Sequence, residues 1–206
     1  ENEKFDHLIL MDGDGEDRPE EIKFLINKAL EEEKVSVVAK RIKRSEGPIF
    51  QILYQAHKLL TLVFTGKNIN FGNYSCLTKN DVEIISNKAS LWSSFSGSLK
   101  KNIKNLNHID SIRGIRYFGP SKMSFFKLAI HSFSIIAVFK RSVFLRSIAM
   151  IIIASYFSTK AIILVPSFQI LLVIFNLLIY LISQREDQDA LNNSHLNHKN
   201  TDTYTH

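Results

Sequence analysis

The sequence predicts an α/β domain followed by an amphipathic interfacial helix and a two-helix transmembrane hairpin. Three observations carry that reading. A strand-helix-strand rhythm occupies the first forty residues. Acids are concentrated at the front: 13 of the 20 Asp and Glu lie in residues 1–46, whereas residues 47–183 hold only Asp81, Glu83 and Asp110 against 15 Lys and Arg. Ala161 to Ser183 is a run of 23 residues without a charge. At 206 residues and 45% hydrophobic, the chain has room for one ordinary domain with a short appendage, not for two enzyme domains. Its 8 Gly and 4 Pro exclude a collagen-like or disordered chain. The single cysteine, Cys76, cannot form an internal disulfide, which points to a reducing compartment.

The apolar run from Phe5 to Met11 stops abruptly at Asp12, as a buried strand does when it opens into a loop. Pro19, Glu20 and Glu21 suit a first helical turn, where a missing N–H costs nothing and acids oppose the dipole. Ile22, Leu25, Ile26, Ala29 and Leu30 share one face of a helix ending near Lys34, and Val35 to Ala39 is a second strand. That order predicts part of a parallel sheet. Ile52, Leu53, Ala56, Leu59, Leu60 and Val63 give helical spacing over Gly47 to Thr65; Gly66 to Leu77 reads as loop and strand, and short helices and loops fill the rest to Lys122.

Residues 1–122 form the soluble part on this reading. Residues 123–141 carry apolar positions at helical spacing broken by Lys127, His131, Ser132 and Ser134, the pattern of a helix lying in the headgroup plane. Residues 142–183 hold two spans, Val143 to Phe157 and Ala161 to Ser183, with a turn near Ser158 to Lys160. The second would be about 34 Å long as a helix, against a bilayer core of about 30 Å. The first is short and requires Arg146 to snorkel. A net +12 over residues 47–183 suits nucleic acid or an anionic membrane surface, and the apolar spans decide for the membrane and against nucleic acid. Lys140, Arg141 and Arg146 before the spans and Arg185 after them outweigh Lys160 between them, so both termini are expected in the cytoplasm. The polar tail 184–206 reads as disordered, and its His195, His198 and His206 lack a ligand spacing.

The chemistry is concentrated in Asp12-Gly13-Asp14-Gly15-Glu16-Asp17. Alternate carboxylates at the end of a strand suit Mg²⁺ or Mn²⁺ that also holds phosphate oxygens. An EF-hand is excluded, because Asp17 stands where its glycine belongs and Lys23 where its bidentate Glu belongs. Asp12 to Gly15 resembles the DxDG of haloacid-dehalogenase-type phosphatases, with Asp12 as nucleophile and Asp14 as acid, but Glu16 replaces the expected Thr or Val and no downstream acidic pair follows.

Over residues 5–183 the chain resembles family 2 glycosyltransferases, in the membrane-bound branch related to dolichol-phosphate mannose synthase and polyprenyl-phosphate glycosyltransferases. The matching segments are Leu8 to Glu20 (strand, DxD-like loop and P-E helix start), Val37-Val38-Ala39-Lys40-Arg41, and Arg116-Tyr117-Phe118-Gly119-Pro120-Ser121-Lys122, followed by the interfacial helix and spans. The resemblance implies a partial GT-A (Rossmann-like) domain that moves a sugar from a nucleotide-sugar donor to polyprenyl phosphate or another lipid or cell-envelope acceptor. It implies metal ligands Asp12, Asp14 and Glu16, with Mg²⁺ or Mn²⁺ as cofactor. Asp14 and Arg41 would be catalytic, Asp12 and Arg41 would meet the donor diphosphate, and Arg116, Ser121 and Lys122 the acceptor phosphate. A homo-oligomer is compatible with it. Where the family has D-x-G-D/x-F-R, this chain has Asn70-Phe71-Gly72-Asn73-Tyr74-Ser75, lacking the Asp and Arg. The resemblance also starts in mid-domain, so a nucleotide-binding half with a V-P-x-Y/F-N-E-like segment is expected upstream. The competing expectations are the phosphatase and a non-catalytic membrane protein derived from a transferase.

Overall fold

The computed structural model describes residues 4–32, 34–43, 48–117, 119, 124–156 and 163–194. Among them, β1 (His7–Leu10), β2 (Ser36–Lys43), β3 (Phe71–Thr78) and β4 (Leu106–Ile112) form one mixed sheet in the order β1-β3-β2-β4. β3 runs antiparallel to both β1 and β2, while β2 and β4 pair in parallel. The expected sheet is therefore corrected in one respect: β1 and β2 run the same way but are not neighbours. β3 lies between them, its Ser75 opposite both Leu10 and Val38. β1, β2 and β4 thus end at one edge of the domain, where β3 begins.

The period-2 alternation of β2 sends its side chains to two cores. Val37 and Ala39 join Tyr74, Cys76 and the Leu25 and Ala29 face of α1 (Ile22–Glu31). Val38 faces the other way, with Phe71 and Leu77. It packs there with Ile85 of α3 (Lys79–Ser86), Leu99 of α4 (Phe95–Asn102), and Ile135 and Val138 at the end of α5 (Phe125–Ala137). Between β2, β3 and α3 the buried polar groups pair with one another: Ser36 Oγ donates to Asp81 Oδ2 at 2.5 Å and accepts from the Thr78 N–H at 3.0 Å.

A third core joins α2 (Pro48–Thr65), α5, α6 (Lys140–Tyr156) and α7 (Leu164–Ser183) through Phe64, Ile136, Ala137, Val143, Leu172 and Ile179. On α7 the buried apolar residues Val165, Leu172 and Ile179 recur every seven positions, the seam of a helix packed lengthwise on its neighbours. Pro166 sits in the first turn, where it breaks no hydrogen bond. Gln169 Nε2 donates to Ser155 Oγ at 2.8 Å, and Lys140 Nζ pairs with Glu186 Oε2 at 3.4 Å, so α6 and α7 pack antiparallel. α7 belongs to the one helical run among the described residues that is long and apolar enough to cross a membrane, with mean hydropathy 2.2 and only 17% of its window buried. The turn expected at Ser158 to Lys160 lies outside the described residues.

Two local features were not expected. Arg146 is held by α2: its guanidinium donates to the Val63 carbonyl at 3.2 Å, in the last turn of that helix, where the helix dipole is negative. Gly66, at φ +71°, closes that helix by donating its N–H to the Leu62 carbonyl at 2.8 Å, and a Cβ there would lie 2.5 Å from the Arg146 guanidinium. Residues 188–192 of the supposedly disordered tail form α8 (Gln188–Asn192), whose first turn is capped by the Asp187 carboxylate. Gln188 Oε1 accepts from the Ala89 N–H, and its Nε2 donates to the Asn87 carbonyl, both at 3.3 Å, so α8 is tied to the segment between α3 and α4.

Candidate functional site

The carboxyl ends of parallel strands are where α/β folds leave room for ligands. Here β1 ends in the acidic loop, β2 carries Arg41 two residues before its end, and β4 leads into the strap 113–117, with Gly72 and Asn73 of β3 beside them.

The loop is shaped by its own acids. Asp17 is 4% exposed and turns inward, where its Oδ2 accepts from the Asp12 N–H at 2.9 Å. Asp14 Oδ1 accepts from the Glu16 N–H at 3.0 Å, a local turn of the kind short acids favour. Gly15 has φ +91°, and any Cβ on it would press against the Ile115 carbonyl and the Tyr117 ring at 2.9 Å. The strap adds backbone pairing: Gly114 N–H donates to the Glu16 carbonyl at 2.8 Å, and Tyr117 N–H to the Asp14 carbonyl at 2.9 Å. Glu21 secures the other side, accepting from Ser111 Oγ at 2.6 Å and the Ile112 N–H at 3.1 Å.

Four guanidiniums belong to this acidic cluster. Arg113 pairs with Glu16 Oε2, and Arg116 Nε donates to Glu16 Oε1 at 2.7 Å while its other arm reaches Asp14 Oδ2 at 3.2 Å. Arg41 lies 3.7 Å from Asp17 and against Gly72, and Arg18 lies 3.7 Å from Glu21. Burial alone would raise the Glu16 carboxyl, but Arg116 and Arg113 outweigh it and hold it below its ordinary value. Asp17 goes the other way: burial raises it, and the Asp12 N–H and Arg41 offset only part of that. Tyr74, whose hydroxyl donates to the Arg18 carbonyl at 2.7 Å under the loop, is pushed up to about 12, by burial first and then by Glu21, Asp17 and Glu20.

The structure brings Asp12, Asp14, Glu16, Arg41 and Arg116 to one edge of the sheet. Ser121 and Lys122, expected at the acceptor phosphate, lie outside the described residues. The carboxylates do not present the three-ligand set expected of them. Glu16 has both oxygens on guanidiniums, Asp14 has one on Arg116, and Asp12 Oδ1 accepts from Asn73 Nδ2 at 3.2 Å. No group of three or more His, Cys, Asp or Glu side chains among the described residues is gathered to hold a metal ion. The residues as placed therefore do not fit a Mg²⁺ or Mn²⁺ held by Asp12, Asp14 and Glu16. Sequence reasoning missed Arg113 and Asn73. The only sequence signal for Arg113 is its spacing of three from Arg116, and Asn73 occupies the segment read only as a departure from the family pattern.

No protein family, curated protein or solved structure is matched by this chain.

Proposed function

We propose that this protein is a membrane-anchored glycosyltransferase of the family 2 type, moving a sugar from a nucleotide-sugar donor to a lipid-linked acceptor such as polyprenyl phosphate. One observation supports it above the others. An acidic loop and three outlying arginines, Arg41, Arg113 and Arg116, meet at the carboxyl ends of parallel strands, in a domain whose core continues into apolar helices. Guanidiniums at such an edge match phosphate oxygens in geometry and charge.

In the proposed reaction the acceptor phosphate oxygen attacks the sugar's anomeric carbon, the new C–O bond forms, and the bond to the donor diphosphate breaks. The electron pair leaves with the diphosphate. Arg41 stabilises the charge that grows there, and Arg116 holds the acceptor phosphate. A phosphate acceptor is already ionised near pH 7 and needs no strong general base. The anchor proposed is a two-span hairpin of α6 and α7 with both termini cytoplasmic. It is supported by their antiparallel packing and by Lys140, Arg141, Arg146 and Arg185 near the end facing the soluble domain. The exposed apolar residues of α2, Ile52, Leu59 and Leu62, add to the apolar surface that α6 and α7 present.

The test is transfer of labelled sugar to polyprenyl phosphate by the full-length protein in membranes. Arg41→Gln is expected to lower kcat by about 10²–10³-fold, the usual cost of losing one stabilising contact to developing charge. Transfer at the wild-type rate by Arg41→Gln would remove Arg41 from the reaction. No transfer by the wild type with any nucleotide sugar would overturn the proposal itself.

A further inference from the structure

Where α5 turns into α6, three cations are drawn together far from the acidic loop. Lys101 reaches from the last turn of α4 and donates from Nζ to the Val138 carbonyl at 2.7 Å. Lys140 and Arg141 open α6. The acid supplied is Glu186, which is buried and paired with Lys140. Arg141 is exposed, the Lys101 ammonium is half-buried against the Val138 carbonyl, and neither has a carboxylate partner among the described residues.

This arrangement runs against the helix dipole. The first turn of α6 contains no acid and begins with two cations, where the positive end of the helix favours an anion. Burial lowers the Lys101 ammonium, and Lys140 and Arg141 lower it further against the opposite pull of Glu186. The elbow thus holds uncompensated positive charge.

What lies beyond Arg141 shows the kind of anion. Leu145, Ile148 and Ile152 follow it at steps of four, three and four, on one face of α6, and they are 70%, 54% and 65% exposed. A cationic foot at the soluble domain continues directly into an exposed apolar stripe. A free phosphate would use only the foot. A phospholipid uses both, with its phosphate at the cations and an acyl chain along the stripe. We infer that Lys101, Lys140 and Arg141 form a binding site for the headgroup phosphate of an anionic phospholipid in the leaflet beside the soluble domain. The inference rests on the membrane anchor proposed above but not on sugar transfer.

The full chain is reconstituted in phosphatidylcholine vesicles, and alkaline extraction first establishes insertion. Electron spin resonance then compares spin-labelled phosphatidylglycerol with spin-labelled phosphatidylcholine in the motionally restricted fraction. The wild type is expected to prefer phosphatidylglycerol. Because each cation near a membrane surface is worth about fivefold in anionic-lipid preference, Arg141→Gln should lose about that factor. Lys101→Gln with Arg141→Gln should abolish most of the preference, while Arg141→Lys should keep it. Equal restriction of the two lipids by the wild type, or an undiminished preference in the double variant, would overturn the site. Displacement of the phosphatidylglycerol by inorganic phosphate would show a free-anion site and overturn the lipid assignment. Release of the wild type at alkaline pH would overturn the anchor, and with it the site, without touching the sugar-transfer assay.

Discussion

Replacing Glu16 by Gln tests whether the acidic loop is held by its arginines. Glu16 and Arg113 have side chains only 14% and 15% exposed, and Arg116 caps the same carboxylate from a wetter position. Gln keeps the shape and one acceptor oxygen but removes the charge shared by two guanidiniums. Hydrogen bonds to charged groups are worth about 1.5–3 kcal/mol each, and partial exposure of Arg116 discounts its share, so a loss of about 2 kcal/mol is expected. In a chain of this size that is a fall in midpoint of about 4–8 °C, read by thermal unfolding in detergent micelles. The pH dependence supplies the sharper check. An acid held below its unfolded value of 4.5 adds stability that is complete above that pH and fades as pH falls through the lower folded value. Asp17, raised in the fold, titrates in the opposite sense and is present in both proteins, so the difference between wild type and Glu16→Gln isolates Glu16. That difference should be constant above about pH 5 and shrink below pH 4.5. A midpoint shift under about 1 °C, or a difference that does not depend on pH, would refute the clamp.

Gly15→Ala should cost stability by about 1–3 kcal/mol, since it forces a left-handed residue to carry a Cβ into the Ile115 carbonyl and the Tyr117 ring. Limited proteolysis between residues 112 and 117 should accelerate in that variant, and an unchanged cleavage rate would show that the strap does not depend on the turn. Gln169→Leu removes the hydrogen bond to Ser155 between two apolar helices. A loss of about 0.6–1.7 kcal/mol is expected, with hydrogen exchange of the four-stranded sheet unaffected. A gain in stability would show that the bond contributes less than the apolar packing that replaces it.

Where chain order and hydrophobic period decide the structure, the sequence was readable. β1 and its loop were visible because an apolar run met an acid at Asp12. α1 was visible because Ile22, Leu25, Ala29 and their neighbours keep one helical face. β4 was missed because Leu106, Ile109 and Ile112 recur every three residues, which is not the period of a strand. It is a strand because β2 offers it a parallel edge, and it lies at the border of the sheet, where one side needs no partner. α8 was obscured by a tail rich in Asn and His, although Asp187 three residues before Ala190 is a legible cap. The candidate site divides in the same way. Its acids are contiguous and stood out; Arg113, 97 residues from Glu16, arrives only through the β2–β4 pairing. The carboxylates could be read as metal ligands only while their counter-ions were unknown.

One turn of α5 joins the sheet that carries the site to the apolar helices. α5 has two faces at its carboxyl end, and adjacent residues serve different cores. Ile135 and Val138 pack beneath the sheet, while Ile136 and Ala137 pack among α2, α6 and α7. Consecutive helical residues point about 100° apart, so four residues in one turn bind both cores without a linker between them. A flexible tether would leave the carboxyl edge of the sheet free to face any direction. A shared helix turn fixes its angle to α7, and the Lys140–Glu186 pair and the Gln188 contacts to Asn87 and Ala89 brace the same junction from the other side. For the proposed transferase, whose acceptor would be held in a bilayer, such rigidity would turn the search for the acceptor from three dimensions into two, because the arginines at the strand ends would keep one orientation to the apolar helices.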